Sequence, residues 1–227
     1  MFKHLINLLF PPVCSGCKGF LLGNESVICT QCRHEIPLTQ FHKEVENAAF
    51  KIFYGRILVE HVSALVYFHK KGIVQEMIHG LKYRGHEEVG TLFGNWYAED
   101  LKTQPIIKTI DAIIPVPLHK KRLNERGYNQ VTTFGKALSE NLGIPYTDNV
   151  LVRNVYSKTQ SQKSFTGRTE VETSIFDVVY NESHHNKHFL LIDDVLTTGA
   201  TLENCGKALL KIPGAKLSIV TMAMSHN

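Results

Sequence analysis

Two adjacent carboxylates followed by a turn of small hydroxyl residues carry the clearest chemistry in this sequence. Asp193 and Asp194 come directly after the apolar run 189–192. The turn that follows consists of Thr197, Thr198, Gly199, Ala200 and Thr201. Carboxylates accept hydrogen bonds from sugar hydroxyl groups, and a small-residue turn at a helix start presents backbone N–H groups to an anion. The pattern therefore predicts a site for a sugar phosphate.

The elements that must position these residues are those of an open α/β sheet. Residues 189–192 are apolar enough for a buried strand, and we expect that strand to stop at the acidic pair. Apolar residues at helical spacing follow the turn, which predicts a helix that begins near Thr201. These residues are Leu202, Cys205, Ala208 and Leu209. Because ligands of such sheets bind outside the carboxyl ends of the strands, the acids and the turn stand where a ligand is expected.

The same pattern has other interpretations. An ordinary strand–turn–helix connection would bind no ligand. The spacing of a P-loop nucleotide site and that of a dinucleotide-binding glycine motif are both absent. A receiver domain also has an acidic pair at a strand end, but most of its fold would have to follow the pair, and here only residues 194–227 follow Asp193.

Four cysteines near the N terminus have the spacing of a metal site. Cys14 and Cys17 form one Cys-x-x-Cys pair, and Cys29 and Cys32 form a second. Four thiolates directed at one point suit tetrahedral zinc, and an all-cysteine ligand set predicts a structural metal. A disulfide pair or a redox dithiol is the alternative. Because a segment this short has little core of its own, its folding should depend on the metal.

A basic segment after the strand predicted at 111–117 is expected to be a loop and is a second candidate anion site. Its basic residues are His119, Lys120, Lys121, Arg122 and Arg126. We expect an anion here because the segment follows the carboxyl end of a strand; the alternative is a solvated charged turn. Residues 151–168 have few apolar side chains and no helical period, which predicts a mobile loop.

The remaining pattern completes an α/β domain. Strands are expected at 62–68, 175–180 and 216–224, and helices at 73–81, 89–101 and 134–142. The prolines at 115 and 117 should end the strand that contains them. Cys205 is expected in the core, and His184, His185 and His188 are expected to face water rather than bind a metal.

Composition is that of a soluble globular protein with a small positive charge. The 227 residues suit a zinc-binding module at 1–45, a connector at 46–60 and a larger domain at 61–227. A formal charge of +4 permits an anionic ligand without indicating nucleic acid by itself.

The N-terminal residues do not have the pattern of a membrane span or an export signal. No apolar run approaches the roughly 18 residues that cross a bilayer, and residues 5–10 predict a short amphipathic helix rather than a secretory signal. We therefore expect a cytoplasmic protein, in which disulfides are uncommon.

The acidic pair and its turn resemble the phosphoribosyl-pyrophosphate (PRPP) signature of type I phosphoribosyltransferases. Further segments make nearly the whole chain similar to the ComF family, a bacterial phosphoribosyltransferase-like group linked to natural competence. These segments are the four-cysteine module, 81–85 (Leu-Lys-Tyr-Arg-Gly), 114–118 (Ile-Pro-Val-Pro-Leu), 126–130 (Arg-Gly-Tyr-Asn-Gln) and the block of Arg153, Thr159, Gln162 and Arg168. Val171 departs from the family pattern, which often has asparagine there.

The resemblance implies a mostly parallel α/β sheet of the phosphoribosyltransferase type, flanked by helices, with a small zinc-ribbon-like module. It implies that Asp193 and Asp194 hold the ribose hydroxyls while the turn wraps the 5′-phosphate. Pro117 and Leu118 would face the pyrophosphate, with magnesium held by pyrophosphate and ribose oxygens. The groups that stabilise the leaving pyrophosphate would be Arg126, Lys158, Lys163 and Arg168.

Three functions fit this resemblance. The chain could be a competence protein that uses PRPP and processes incoming single-stranded DNA with other competence proteins. It could instead be a phosphoribosyltransferase with a small acceptor, or a non-catalytic PRPP sensor. For the first, Tyr83, Tyr128 and Phe165 lie among cations and are candidates for stacking on bases.

Overall fold

A four-stranded sheet in which all neighbouring strands run parallel forms the centre of the protein. The computed structural model describes residues 11–154 and 175–225. Its strands are β1 (His61–Phe68), β2 (Ala112–Pro115), β3 (Leu151–Arg153), β4 (Phe176–Val178), β5 (His188–Leu196) and β6 (Lys216–Ser225). The sheet order is β1–β6–β5–β2, and β3 and β4 pair separately as a small antiparallel sheet. The expected α/β fold with a parallel sheet is confirmed.

Helices cover both faces of this sheet. They are α1 (Thr30–Glu35), α2 (Ala48–Lys51), α3 (Ile73–Tyr83), α4 (Glu88–Leu101), α5 (Lys120–Arg126), α6 (Thr132–Leu142) and α7 (Ala200–Leu209). Short 3-10 turns occur at Phe41–Lys43, Pro105–Thr109 and Glu182–His184. Within the described ranges, no helix combines the length and the apolar character needed to cross a lipid bilayer.

Two hydrophobic cores lie on opposite faces of the sheet. The first contains buried side chains of α3, α4 and α6, and the second contains those of α7 and of the β3–β4 pair. Along β5, Leu190 and Ile192 belong to the first core, whereas Phe189 and Leu191 belong to the second. Successive side chains of a strand point to opposite faces, so the adjacent acids that follow must also diverge.

Strand β5 is longer than the sequence predicts. It continues past Asp193 and Asp194 to Leu196, so the expectation that it stops at the acids was wrong. The reason lies in its two neighbours. β2 ends at Pro115, opposite Ile192, but β6 goes on pairing with β5 as far as Leu196. The helix expected near Thr201 is confirmed, since α7 begins at Ala200.

The basic segment after β2 is a helix rather than a loop. The side chain of His119 caps α5 by accepting a hydrogen bond from the Lys121 N–H at 3.2 Å. Gly127 ends the helix in the left-handed conformation, with φ of 79°, and its N–H donates to the Leu123 carbonyl at 2.8 Å. These two caps stabilise a helix of seven residues. The sequence pattern did not predict this helix, because its residues are mostly charged.

Two further expectations are corrected by the structure. Residues 151–153 form strand β3 rather than the start of a loop, because β4 offers them an antiparallel partner. His188 is buried rather than facing water: its Nε2 bonds Ser218 Oγ at 2.8 Å and its Nδ1 bonds Thr109 Oγ1 at 2.8 Å. The rest of the predicted loop, 155–168, lies outside the described residues.

The cysteine segment packs directly on the larger part of the chain. Leu21, Ile28 and Ile36 share the first core with α3. A Cβ added to Gly16, between Cys14 and Cys17, would lie 2.7 Å from Ile73 Cγ2, so a larger residue there would force Ile73 of α3 or the cysteine turn to move. The cysteine segment therefore shares the hydrophobic core of the sheet domain instead of forming a core of its own. The domain boundaries given above stay a prediction.

Candidate phosphate site and metal centre

The turn between β5 and α7 encloses a small cavity. The cavity has a volume of about 50 Å³, and its lining includes Asp193 and residues 195–202. Gly199 is left-handed, with φ of 77°, and immediately precedes α7. The free N–H groups and the positive dipole end of a helix N terminus stabilise an anion placed beside them. This geometry suits one phosphate group.

Asp193 points toward the second core and α7. Burial, together with the charge of Asp194, raises the pKa of Asp193 to about 8. Burial and the Asp193 carboxylate in turn raise the pKa of Cys205 on α7, which places the two groups close together. As a carboxylate Asp193 accepts hydrogen bonds, and when protonated it can also donate one.

Asp194 points to the opposite face, where it is the centre of a polar network. One of its oxygens lies 3.0 Å from Lys82 Nζ at the end of α3, and the other accepts a hydrogen bond from Gln130 Nε2 at 2.6 Å. Gln130 Oε1 accepts from Arg126 Nη1 at 2.6 Å. The guanidinium group of Arg126 stacks 5.0 Å from the ring centre of Tyr83. Asp194 thus positions two cations, one directly and one through an amide.

These cations line a second, larger cavity. It has a volume of about 350 Å³ and is surrounded by Lys82, Tyr83, Gly85, Arg122, Glu125, Arg126 and Tyr128. Three cations against one acid make it attractive to an anion larger than a single phosphate. Because Lys82 contacts Asp194, the cavity adjoins the carboxyl half of β5.

Pro117 and Leu118 leave the sheet next to the acidic pair. β2 pairs with β5 as far as Pro115 opposite Ile192, so the segment after β2 emerges at the same edge as the turn after β5. Both residues are half-buried. Asn129 Nδ2 donates to the Val116 carbonyl at 3.0 Å and fixes the segment to the residues after α5.

The four cysteines of the N-terminal segment form one cluster. Their sulfur atoms all lie within 4.8 Å of one another, and Cys17 Sγ and Cys29 Sγ are 3.7 Å apart. Ligands at about 2.3 Å from a tetrahedral zinc ion would be about 3.8 Å apart, so the cluster fits that metal. All five cysteines of the chain are described, and all are free thiols.

Backbone N–H groups prepare this cluster for a metal. Those of Gly16 and Cys29 both donate to Cys14 Sγ at 3.3 Å. Burial raises the pKa of Cys14, but these donors and the Cys17 N–H outweigh burial and bring it to about 7. A thiolate is the form that binds zinc, so the site is compatible with a structural zinc ion.

Comparisons with known proteins agree with the sequence resemblance. The chain is 27% identical over 219 residues to competence protein F of Haemophilus influenzae, covering 92% of this chain and 96% of that protein. It is 29% identical over 215 residues to competence protein ComFC of Bacillus subtilis, covering 94% of this chain and 84% of that protein. No protein-family model matches the chain.

The chain is therefore homologous to the ComF-type competence proteins. Among solved structures it is similar to a glutamine PRPP amidotransferase of B. subtilis, with a TM-score of 0.43 and 15% identity. That similarity covers 63% of this chain and 30% of the amidotransferase. At this level it adds nothing to the geometry described above.

In this chain the predicted site residues that the structure describes lie at several places. The turn 197–201 and Asp193 surround the small cavity, and Arg126 lies at the larger cavity. The four cysteines converge at a separate centre. Lys158, Lys163 and Arg168 lie outside the described residues, as does Val171.

Three residues of the site were not identified by sequence reasoning. Lys82 was noted as part of a basic, family-like segment and Gln130 as part of another, and nothing in their spacing connects them to Asp194. Arg56, which contacts the turn before α7, stands alone in the connector without any motif. Each acts through a contact between residues distant in the chain, and a single sequence contains no signal for such contacts.

Proposed function

We propose that this chain is a ComF-type, phosphoribosyltransferase-like protein that binds PRPP and acts with single-stranded DNA in natural competence. The observation that carries the proposal is the carboxyl half of β5, where Asp193, the turn with left-handed Gly199 and the start of α7 surround one cavity of phosphate size. The homologous competence proteins support the cellular role.

The two cavities suggest how PRPP would lie. Its 5′-phosphate would occupy the turn 197–201, and its ribose hydroxyls would meet Asp193 and Asp194. Its pyrophosphate would extend toward Pro117, Leu118 and Arg126. Magnesium would be bound by ligand oxygens and water, and would neutralise part of the pyrophosphate charge.

Arg126 is proposed to stabilise the pyrophosphate if a transfer occurs. An acceptor atom would form the new bond to the anomeric carbon while the bond to the pyrophosphate oxygen breaks, and the electron pair would leave with pyrophosphate. A guanidinium group held in place by Gln130 offers fixed donors to that growing negative charge. Lys158, Lys163 and Arg168 remain proposed contributors to the same task.

PRPP binding is tested by calorimetry with magnesium and PRPP. We expect the wild-type chain to bind, and Asp193→Asn and Asp194→Asn each to weaken binding by about 1–3 kcal/mol, the cost of a charge-assisted hydrogen bond. Asp111→Asn is the matched control. This acid also pairs with a lysine, at 2.8 Å from Lys187 Nζ, but it lies at the amino end of β2. No binding by the wild-type chain would refute the proposal.

Tyr83 is the best placed of the three aromatic candidates for contact with DNA. Tyr83 is 64% exposed, and its ring centre lies 4.9 Å from that of His79 and 5.0 Å from the guanidinium carbon of Arg126. Tyr128 packs against the first core and donates its hydroxyl to the Leu81 carbonyl. Phe165 lies outside the described residues. An exposed ring beside arginine is suited to stacking on a base without sequence preference.

Fluorescence anisotropy with a labelled single-stranded oligonucleotide tests this contact. Affinity should fall steeply as salt rises, and Tyr83→Ala should weaken binding about tenfold, since one stacked base contributes about 1–3 kcal/mol. Tyr180→Ala removes a ring that is 43% exposed and precedes the amino end of β5, so it should leave affinity unchanged.

Competition tests the shared cavity. Because Tyr83 and Arg126 line the cavity proposed for pyrophosphate, magnesium–PRPP should displace the oligonucleotide. Simultaneous binding of both would place DNA on another surface, and no binding at low salt would remove the DNA role.

We also propose that the four-cysteine centre holds one structural zinc ion. The support is the sulfur cluster with its N–H donors and a ligand set composed of cysteine alone. The metal would fix residues 14–32 against α3, whose last turn carries Lys82.

A further inference from the structure

We propose that Arg56 is a positioning residue that holds the phosphate-binding turn in its anion-ready conformation. This inference rests on the proposed function, because it assigns the turn 197–201 to the 5′-phosphate. Arg56 lies in the connector before β1, where the sequence predicts neither a motif nor a ligand.

The connector is fixed to the sheet before it reaches the turn. Asn47 is 2% exposed and caps α2, accepting from the Phe50 N–H at 3.0 Å. Its side-chain amide also donates to the carbonyls of Phe41 at 3.1 Å, Glu44 at 2.8 Å and Val62 at 2.8 Å. Since Val62 belongs to β1, the connector has a rigid base on the sheet.

From this base, the connector packs over the turn. A Cβ added to Gly199 would lie 2.8 Å from Ile52 Cγ2 and 3.3 Å from the Phe53 ring, so these two side chains touch the turn backbone. Arg56 Nη1 donates to the Thr198 carbonyl at 2.7 Å and to the Ile52 carbonyl at 3.2 Å. The connector and the turn are thus joined by apolar contact and by the guanidinium group.

The bond to the Thr198 carbonyl fixes an N–H direction. In a trans peptide the carbonyl and the following N–H point in opposite directions. Arg56 draws the Thr198 carbonyl toward itself, so the Gly199 N–H must point away from Arg56. Without that bond the peptide could rotate and present a carbonyl oxygen, which repels a phosphate.

The guanidinium group also controls a nearby negative charge. Arg56 Nε donates to Glu203 Oε2 at 2.8 Å, and its Nη2 pairs with the same carboxylate. Glu203 lies in the first turn of α7, where an uncompensated carboxylate would repel a bound phosphate. Lys207 Nζ contacts its other oxygen at 2.7 Å. The guanidinium group of Arg56 bonds the Thr198 carbonyl, the Ile52 carbonyl and the Glu203 carboxylate. Its role is therefore to position the turn rather than to contact the phosphate directly.

Calorimetry with two probes tests the role. Arg56→Ala should weaken magnesium–PRPP binding about tenfold, the effect of a lost hydrogen bond to a charged group, and leave pyrophosphate binding unchanged, since pyrophosphate lacks the 5′-phosphate. Arg56→Lys keeps the charge without the planar fork, so it should recover only part of the affinity. It also serves as the test variant if the alanine variant does not fold. Lys207→Ala removes the other partner of Glu203 but not the bond to Thr198, and should retain wild-type affinity.

Hydrogen exchange of the ligand-free protein gives a readout that does not require PRPP. The Glu203 N–H donates to the Gly199 carbonyl at 2.8 Å, so loosening the turn should speed exchange at residues 199–203 in Arg56→Ala and not in Lys207→Ala. Faster exchange in a chain that never binds PRPP would support the positioning role while refuting the proposed function. Wild-type PRPP affinity in Arg56→Ala, or an equal loss for pyrophosphate, would overturn the inference.

Discussion

Replacing Cys14 or Cys29 with serine should reduce bound zinc from about one ion per chain to nearly none and destabilise the fold strongly. Structural zinc contributes an apparent binding free energy of about 10–16 kcal/mol in small zinc domains, and that energy is folding energy. Losing one of four thiolate ligands forfeits a large part of it. This is the largest effect we expect from any single substitution.

The structure extends this effect beyond the cysteine segment. Cys14 is fully buried and belongs, with Leu21 and Ile28, to the core that α3 shares. The last turn of α3 contains Lys82, which pairs with Asp194. Loss of the metal should therefore displace α3 and weaken magnesium–PRPP binding as well. A module that folded on a core of its own would not transmit such a change.

Elemental analysis, thermal unfolding and PRPP calorimetry of the same preparations check this prediction. Cys205→Ala is the matched control, because it removes a buried thiol that lies on α7 outside the four-cysteine cluster, and it should retain one zinc. A metal-free wild-type chain that unfolds cooperatively at its usual temperature would contradict the zinc proposal. Disulfides found in that chain by mass spectrometry would favour the alternative pairing of the cysteines.

Substituting alanine for Gly199 should give the second largest effect. A side chain at φ of 77° costs about 1–2 kcal/mol. The new Cβ would also lie 2.8 Å from Ile52 Cγ2, so either the turn or the connector must move. We expect magnesium–PRPP affinity to fall at least tenfold, because the N–H groups of the turn would no longer surround the phosphate.

The Gly143→Ala variant distinguishes the cost of a side chain at positive φ from the cost of the steric clash with Ile52. Gly143 ends α6 with φ of 70°, and a Cβ added there meets no heavy atom within 4 Å. It should lower the free energy of unfolding by a similar strain term while leaving PRPP binding intact. Adding Ile52→Ala to Gly199→Ala should restore part of the affinity by making room for the Cβ. Unchanged affinity in Gly199→Ala alone would show that the phosphate does not bind at this turn.

The sequence by itself determined the features that depend on neighbouring residues. An apolar run, an acidic pair and a small-residue turn specify a strand, a loop and a helix start within residues 189–201, and the structure places β5 and α7 there. The two Cys-x-x-Cys pairs likewise predict one cluster, because each pair directs its thiols to the same side of a short turn. The order of strands and helices predicts an α/β fold for the same reason: each element has its own local apolar period.

Only the tertiary structure decided how these elements meet. Asp193 and Asp194 are adjacent in sequence but serve opposite faces, because β6 keeps pairing with β5 beyond the end of β2 and holds both acids in a pleated strand. Asp194 therefore accepts a hydrogen bond from Gln130, which is 64 residues away in the sequence. Thr198 in the turn accepts one from Arg56, which is 142 residues away. Such contacts depend on which surfaces the packed helices bring together, and no local spacing encodes them.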